Sequence, residues 1–229
     1  MSKRFSSDKP FVVLYEDDHY IAFFKPAGLL TVPADRGVDQ SLADMVNAQF
    51  SHRPGVPEGM KLHPCHRLDK ETSGVVVFAK GHASQEALMD LFRDKKVHKK
   101  YIAFVHGRLR HAKGEIDTPI RDVKPGGGQE KKEAVTRYYL QEQRHRFAIV
   151  EVVPLTGRTN QIRIHFTELG HPLVGENKFI YRKDYNLKFK RAALHASELE
   201  FVHPVTGQPV KIVAPLSIDM KNFLERNRK

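Results

Sequence analysis

The chain has 229 residues, 40% hydrophobic and 28% charged, a balance typical of a globular protein with one large domain or two small subdomains sharing a core. Its 38 Lys and Arg against 27 Asp and Glu give a formal net charge of +11, which favours a polyanionic partner, most often nucleic acid. A single cysteine, Cys65, excludes an intrachain disulfide and most thiolate zinc sites. No run approaches the roughly 18 apolar residues of a membrane span, and the opening MSKRFSSDKP lacks the apolar core of a signal peptide, so the expected location is the cytoplasm.

Residues 1–10 read as a mobile basic lead-in, and residues 11–229 as one catalytic-sized domain. Val12 to Tyr15 and Tyr20 to Lys25 are short β-prone runs on either side of the turn-like Glu16-Asp17-Asp18-His19, and Pro26-Ala27-Gly28 ends the second. Ser41 is placed to cap a helix in SLADMVNAQF, with Asp44 three residues on and Leu42, Met45, Val46 and Gln49 at helical spacing. Residues 51–64, with three prolines and two glycines, form a loop. Ser73 to Ala79 is nearly all apolar, the mark of a strand buried on both faces. A helix is expected in SQEALMDLFRDKK, with Ala87, Leu88, Leu91 and Phe92 on one side, and a strand from Tyr101 to His106.

Residues 107–134 are rich in Gly and Lys and read as a flexible basic connection. Val135 to Gln141 and Phe147 to Val153 alternate as paired strands. Thr159 to Leu169 fits a helix with Ile162, Phe166 and Leu169 on one face, ended by Gly170. Residues 171–191 are loop-like and basic, Val210 to Val213 is a last strand, and Ser217 to Glu225 a last helix. Strands outnumber helices and are joined by short turns. The class is therefore α+β with a mixed, mainly antiparallel sheet flanked by helices and loops.

Four candidates compete for the chemistry. His63-Pro64-Cys65-His66 looks like a metal cluster, but the chain lacks H-E-x-x-H and the H-x-E with P-C-x-x-C of zinc deaminases. Gly126-Gly127-Gly128 lacks the G-K-[ST] ending of a nucleotide loop, and a Cys65 nucleophile rests only on nearby histidines. The fourth candidate is Asp69, between Arg67 and Lys70 and just before the apolar run that starts at Val75. A carboxylate there needs a cation to stay ionised against desolvation, and PLTGRTNQIRIH (154–165) carries Arg158 and Arg163. On these grounds alone Asp69 is a structural ion pair as readily as a nucleophile.

Five segments in register resemble the RluA-type pseudouridine synthases: LYEDDHYIAFFKPAGLLTVP (14–33), HRLDKETSGVVVFAK (66–80), KKYIAFVHG (99–107), PLTGRTNQIRIHFTELGHPLVGENKF (154–179) and LHASELEFVHPVTGQPV (194–210). The resemblance implies an enzyme that isomerises uridine in ribosomal or transfer RNA, with two subdomains around a basic catalytic cleft, acting as a monomer without metal, nucleotide or redox cofactor. It implies that Asp69 is the nucleophile, attacking C1′ of the ribose or C6 of the base. Arg163 would keep Asp69 ionised, and Tyr101 would stack on the base. Arg67 would fill the space of the extruded uridine, and His66, Arg158, Asn160 and Gln161 would contact the RNA around it. Read without the resemblance, Tyr101 is a core tyrosine and Arg67 a solvated or phosphate-binding arginine.

Two positions depart from the family pattern. Asn160 stands where histidine is common, and Phe24 where asparagine commonly precedes the Lys25-Pro26 turn. No separate RNA-binding domain precedes the catalytic region, so basic clusters at Arg93 to Lys100, Lys124 to Lys132, Arg182 to Arg191 and Lys221 to Lys229 are expected to grip RNA. Two other classes share these features: a non-catalytic RNA-binding protein, and a glycosidase that releases free uracil.

Overall fold

The computed structural model describes residues 11–33, 40–123, 129–180, 185 and 187–228. The basic lead-in 1–10, Lys124 to Gly128 of the second basic cluster, Arg182 and Lys183 of the third and Lys229 of the fourth lie outside the described residues. The α+β class expected from the sequence holds, with strands in antiparallel ladders predominating. The chain falls into two compact units, Met1–Val97 with Ala196–Pro215, and His98–His195 with Leu216–Lys229.

In the first unit, β1 (Val13–Glu16) and β2 (Tyr20–Lys25) flank the Asp17 turn, and β2 pairs antiparallel with β4 (Ser73–Lys80). The last three residues of the 51–64 stretch read as loop form a short strand, β3 (Leu62–Pro64), which pairs with the end of β4. On the other side β4 neighbours β11 (Leu194–Val202), and β12 (Pro209–Val213) pairs antiparallel with β11. Val75 to Phe78 are at most 1% exposed, as the unbroken apolar run requires. Each such side chain contributes roughly 1.5–3 kcal/mol by leaving water. Just before them, Gly74 (φ +124) admits the β11 backbone: a Cβ there would lie 2.1 Å from the Ala196 carbonyl oxygen.

Helix α1 (Leu42–Phe50) starts at Ser41, whose hydroxyl accepts from the Asp44 amide while the Asp44 carboxylate accepts from the Ser41 amide. This is the reciprocal cap that the spacing predicts. Its buried face is Leu42, Met45, Val46 and Phe50, so Phe50 takes the place expected for Gln49. Helix α2 (His82–Arg93) ends three residues before the expected limit, and Lys95 adopts the left-handed region (φ 58). Leu88 is its one fully buried apolar residue, with Leu91 and Phe92 packed at the core margin.

The second unit is built on β5 (His98–His106), β10 (Phe147–Pro154), β9 (Thr136–Gln143) and β6 (Lys113–Ile116), hydrogen-bonded in that order and all antiparallel. The stretch read as a flexible connection, residues 107–134, therefore contains three strands. Besides β6 it holds β7 (Ile120–Val123) and β8 (Gln129–Lys132), a separate two-stranded ribbon. Its sequence hides this because a two-stranded ribbon needs no apolar alternation along its length. Helix α3 (Gln161–Glu168) lays Ile162 and Phe166 on the β5, β9 and β10 face. Leu169, expected on that face, falls at the helix end and is 40% exposed. Helix α4 (Ile218–Arg226) packs Met220 and Phe223 against Phe104 and Phe147.

Candidate active site

Asp69 lies in the first unit, in the turn between β3 and β4, where its carbonyl accepts from the Thr72 amide at 3.0 Å. The residues on both sides of it are fixed by one loop, residues 25–31. Upstream, the buried Thr31 hydroxyl donates to the Leu68 carbonyl and accepts from the Leu68 amide, both at 3.0 Å. Downstream, the Lys70 carbonyl accepts from the Gly28 amide at 2.7 Å. The fully buried Lys25 ammonium donates to the carbonyls of Leu29 (2.7 Å), Pro26 (3.0 Å) and Lys70 (3.4 Å). A buried ammonium is tolerated only where it is hydrogen-bonded; here those bonds fold the Pro26-Ala27-Gly28 turn onto the Asp69 segment. The backbone at Asp69 is thus held on both sides while the residue itself stays half-buried.

Arg67 is exposed. His66 is half-buried, with its Nε2 accepting from the Val77 amide of β4 at 3.1 Å and its ring 4.9 Å from that of Phe92. The acceptor role at Nε2 leaves the proton of the neutral ring on Nδ1. Cys65 is buried, and desolvation pushes its thiol up to about 12, far from a usable thiolate. Among the described residues no group of three or more His, Cys, Asp or Glu is placed to hold a metal ion.

Tyr101, Arg158, Asn160, Gln161 and Arg163 all lie in the second unit. Tyr101 sits on β5 opposite Val152 and packs, half-buried, at the margin of the core formed with Ile162 and Phe166. The turn before α3 is tied by Gln161, which is 4% exposed. Its Oε1 accepts from the Thr156 hydroxyl (2.7 Å) and the Arg158 amide (3.0 Å). Its Nε2 donates to the Val135 carbonyl (3.0 Å) and the Thr136 hydroxyl (2.9 Å). All four positions of the amide are taken inside the unit, so Gln161 shapes the turn that presents its neighbours. Arg158 donates from Nε to the Glu133 carbonyl at 3.1 Å.

Arg163 is 5% exposed and forms a two-pronged pair with Glu176, Nε to Oε2 at 2.7 Å and Nη2 to Oε1 at 2.8 Å. Its Nη1 donates to Asn160 Oδ1 at 3.2 Å, and its guanidinium lies 5.3 Å from the centre of the Phe179 ring. Asn160 adopts the left-handed region (φ 56), which asparagine tolerates better than most residues. Neither Thr31 nor Glu176 stood out in the sequence, because each acts on a residue 37 or 13 positions away. One signal for Glu176 was present: a carboxylate directly after a glycine, in G-E-N.

The model of the family described as RNA pseudouridylate synthase matches residues 19–168, a span that contains Asp69, Tyr101 and Arg163. The chain belongs to the RNA pseudouridylate synthase family. It is 37% identical to ribosomal large subunit pseudouridine synthase D of Xanthomonas campestris pv. campestris, over 97% of this chain and 71% of that one. It is 36% identical to the dual-specificity RNA pseudouridine synthase RluA of Vibrio cholerae, over 84% of this chain and 77% of that one. The structure of human RNA pseudouridylate synthase domain containing 4 covers 94% of this chain and 92% of its own, with a TM-score of 0.79 and 25% identity. Pseudouridine synthases are isomerases, and this chain is one by membership.

Proposed function

We propose that the protein converts uridine to pseudouridine in folded ribosomal or transfer RNA, with Asp69 as nucleophile and no cofactor. The observation that carries this reading is the backbone clamp on Leu68 and Lys70, which holds a half-buried carboxylate in one place between two anchored neighbours. Attack at a reacting atom profits from such fixed placement. Asp69 adds to C1′ of the ribose or C6 of the base, the C1′–N1 bond breaks, the uracil turns, and C5 bonds to C1′. The C5 hydrogen then leaves as a proton. Arg163 keeps Asp69 ionised by charge, and Tyr101 stacks on the base and assists the proton transfer.

The target uridine has to leave its stack to be reached; exposed Arg67 occupies the space it vacates, while Arg158 contacts the strand nearby. A relative named for the ribosomal large subunit supports ribosomal RNA as a substrate, and one named for dual specificity supports more than one RNA target. The protein works as a monomer in the cytoplasm, gripping RNA through its basic clusters. Among the described residues no helix is long and apolar enough to cross a membrane. The test is nucleoside chromatography of ribosomal and transfer RNA, transcribed without modification and incubated separately with the protein. Pseudouridine in either digest supports the proposal; free uracil assigns a glycosidase, and unchanged uridine with bound RNA assigns a binding protein.

A further inference from the structure

We propose that Glu176 is a positioning residue for the isomerisation: it fixes the Arg163 guanidinium in angle and depth relative to Tyr101. This rests on the reading of the protein as a uridine isomerase.

Glu176 has no exposed side-chain surface and grips Arg163 by two short hydrogen bonds. Three backbone amides converge on the same carboxylate: Asn177 at 3.1 Å, Lys178 at 2.9 Å and Phe179 at 3.4 Å, all to Oε1. Burial alone would raise this carboxyl, but the Arg163 fork and the Lys178 and Phe179 amides outweigh it and hold the group below the ordinary carboxylate range. The charge is therefore permanent at neutral pH, and the arginine has a fixed anion to turn towards.

The mount of Glu176 is itself rigid and is tied to the strand that carries Tyr101. The Val174 amide donates to the Phe104 carbonyl of β5 at 2.7 Å, and Leu173 bridges to Val105. The Ala193 amide donates to the Val174 carbonyl at 2.8 Å. Gly175 (φ +79) lies so close to the following chain that a Cβ would stand 2.1 Å from the Arg191 carbonyl oxygen. Arg163 thus has one origin on α3 and a second, through Glu176, on β5. Glu176 accepts from Nε and Nη2, and Asn160 accepts from Nη1. With two points held by one carboxylate, the direction of the Nη edge of the guanidinium is set by Glu176.

A buried pair of this kind is also a structural feature, so the test has to separate the two roles. Glu176→Gln is suited to it: the amide oxygen, in the place of Oε1, still serves the backbone amides and Arg163 Nη2, but an NH2 group in the place of Oε2 now faces Arg163 Nε–H, donor against donor, and the negative charge is gone. Tritium release from RNA labelled at uridine C5 is measured at saturating RNA, well below the melting temperature, for wild type, Glu176→Gln, Arg163→Met and the double variant. The expected result is a kcat at least 30-fold lower for Glu176→Gln with KM within about threefold of wild type. In the Arg163→Met background, Glu176→Gln should change kcat by less than about threefold and should raise the melting temperature by removing an uncompensated buried charge. A wild-type kcat in Glu176→Gln, or a loss that multiplies with that of Arg163→Met, overturns the positioning role. Should Glu176→Gln not fold, Glu176→Asp keeps the charge but shortens the reach by one methylene, and a wild-type kcat there overturns it equally. Failure of wild type itself to release tritium from any RNA overturns the isomerase reading instead.

Discussion

Replacing Thr31 by valine removes one hydroxyl and almost no volume, so it isolates the clamp on the residue before Asp69. The hydroxyl serves both the amide and the carbonyl of Leu68, at 3.0 Å each, and Thr31 and Leu68 are 2% and 5% exposed. Each hydrogen bond contributes a net 0.5–1.5 kcal/mol or so, and each buried backbone group left without a partner costs about 1–3 kcal/mol. For two groups at one site, with partial relaxation, the expected loss is about 2–4 kcal/mol. Thr31→Ser keeps the hydroxyl and loses one methyl, about 1 kcal/mol. Urea unfolding measures both, with the change appearing in the midpoint and an unchanged slope. Single-turnover tritium release gives the functional counterpart. A segment freed to shift by about 1 Å at the nucleophile costs on the order of 100-fold in rate, so Thr31→Val should be slow and Thr31→Ser near wild type. Equal stabilities and equal rates for the valine and serine variants would refute the assignment of the clamp to the hydroxyl.

Gly74→Ala should be among the most damaging single-atom changes, because its Cβ would meet the β11 backbone at Ala196 and its φ is +124. About 3–5 kcal/mol of lost stability is expected from strain and overpacking together, read as a drop in urea midpoint; a loss under 1 kcal/mol would show that β11 can retreat. His106 supplies a pH dependence. Its burial, with the Arg146 charge second, lowers its value from 6.5 to about 4. Between those values the unfolded chain binds a proton that the folded chain refuses. Stability is therefore complete above pH 6.5 and falls as pH drops towards 4, by up to about 1.4 kcal/mol per pH unit. Urea midpoints at pH 7, 6 and 5 should show this slope, and His106→Gln should flatten it.

Elements defined by short-range physics were legible in the sequence. β2 coincides with the Tyr20 to Lys25 run, β4 with the apolar run, and α1 with a cap whose two halves are three residues apart. The β9–β10 pairing followed from alternation on either side of a short turn. What stayed hidden depends on partners far along the chain. β11 interleaves His195, Ser197, Glu198 and Glu200 with its apolar residues, so its period is blurred, and its neighbour β4 lies more than 100 residues earlier. β7 and β8 carry Arg121, Lys131 and Lys132 and pair only with each other. The same holds at the site. The candidates Asp69, Tyr101 and Arg163 came from motifs, whereas the residues that hold them came only from the fold. Thr31 looks like an ordinary loop threonine, and Glu176 like a surface carboxylate in a basic stretch.

The central claim is that Asp69 carries a cofactor-free isomerisation of uridine in RNA. It is tested most directly by tritium release from ribosomal and transfer RNA labelled at uridine C5, in the presence of EDTA, comparing wild type with Asp69→Ala. Forming the C1′–C5 bond expels the C5 hydrogen, so wild type should release tritium from at least one RNA and Asp69→Ala from neither, with RNA binding retained. Release by Asp69→Ala at the wild-type rate, or loss of wild-type release on adding EDTA, would contradict the account.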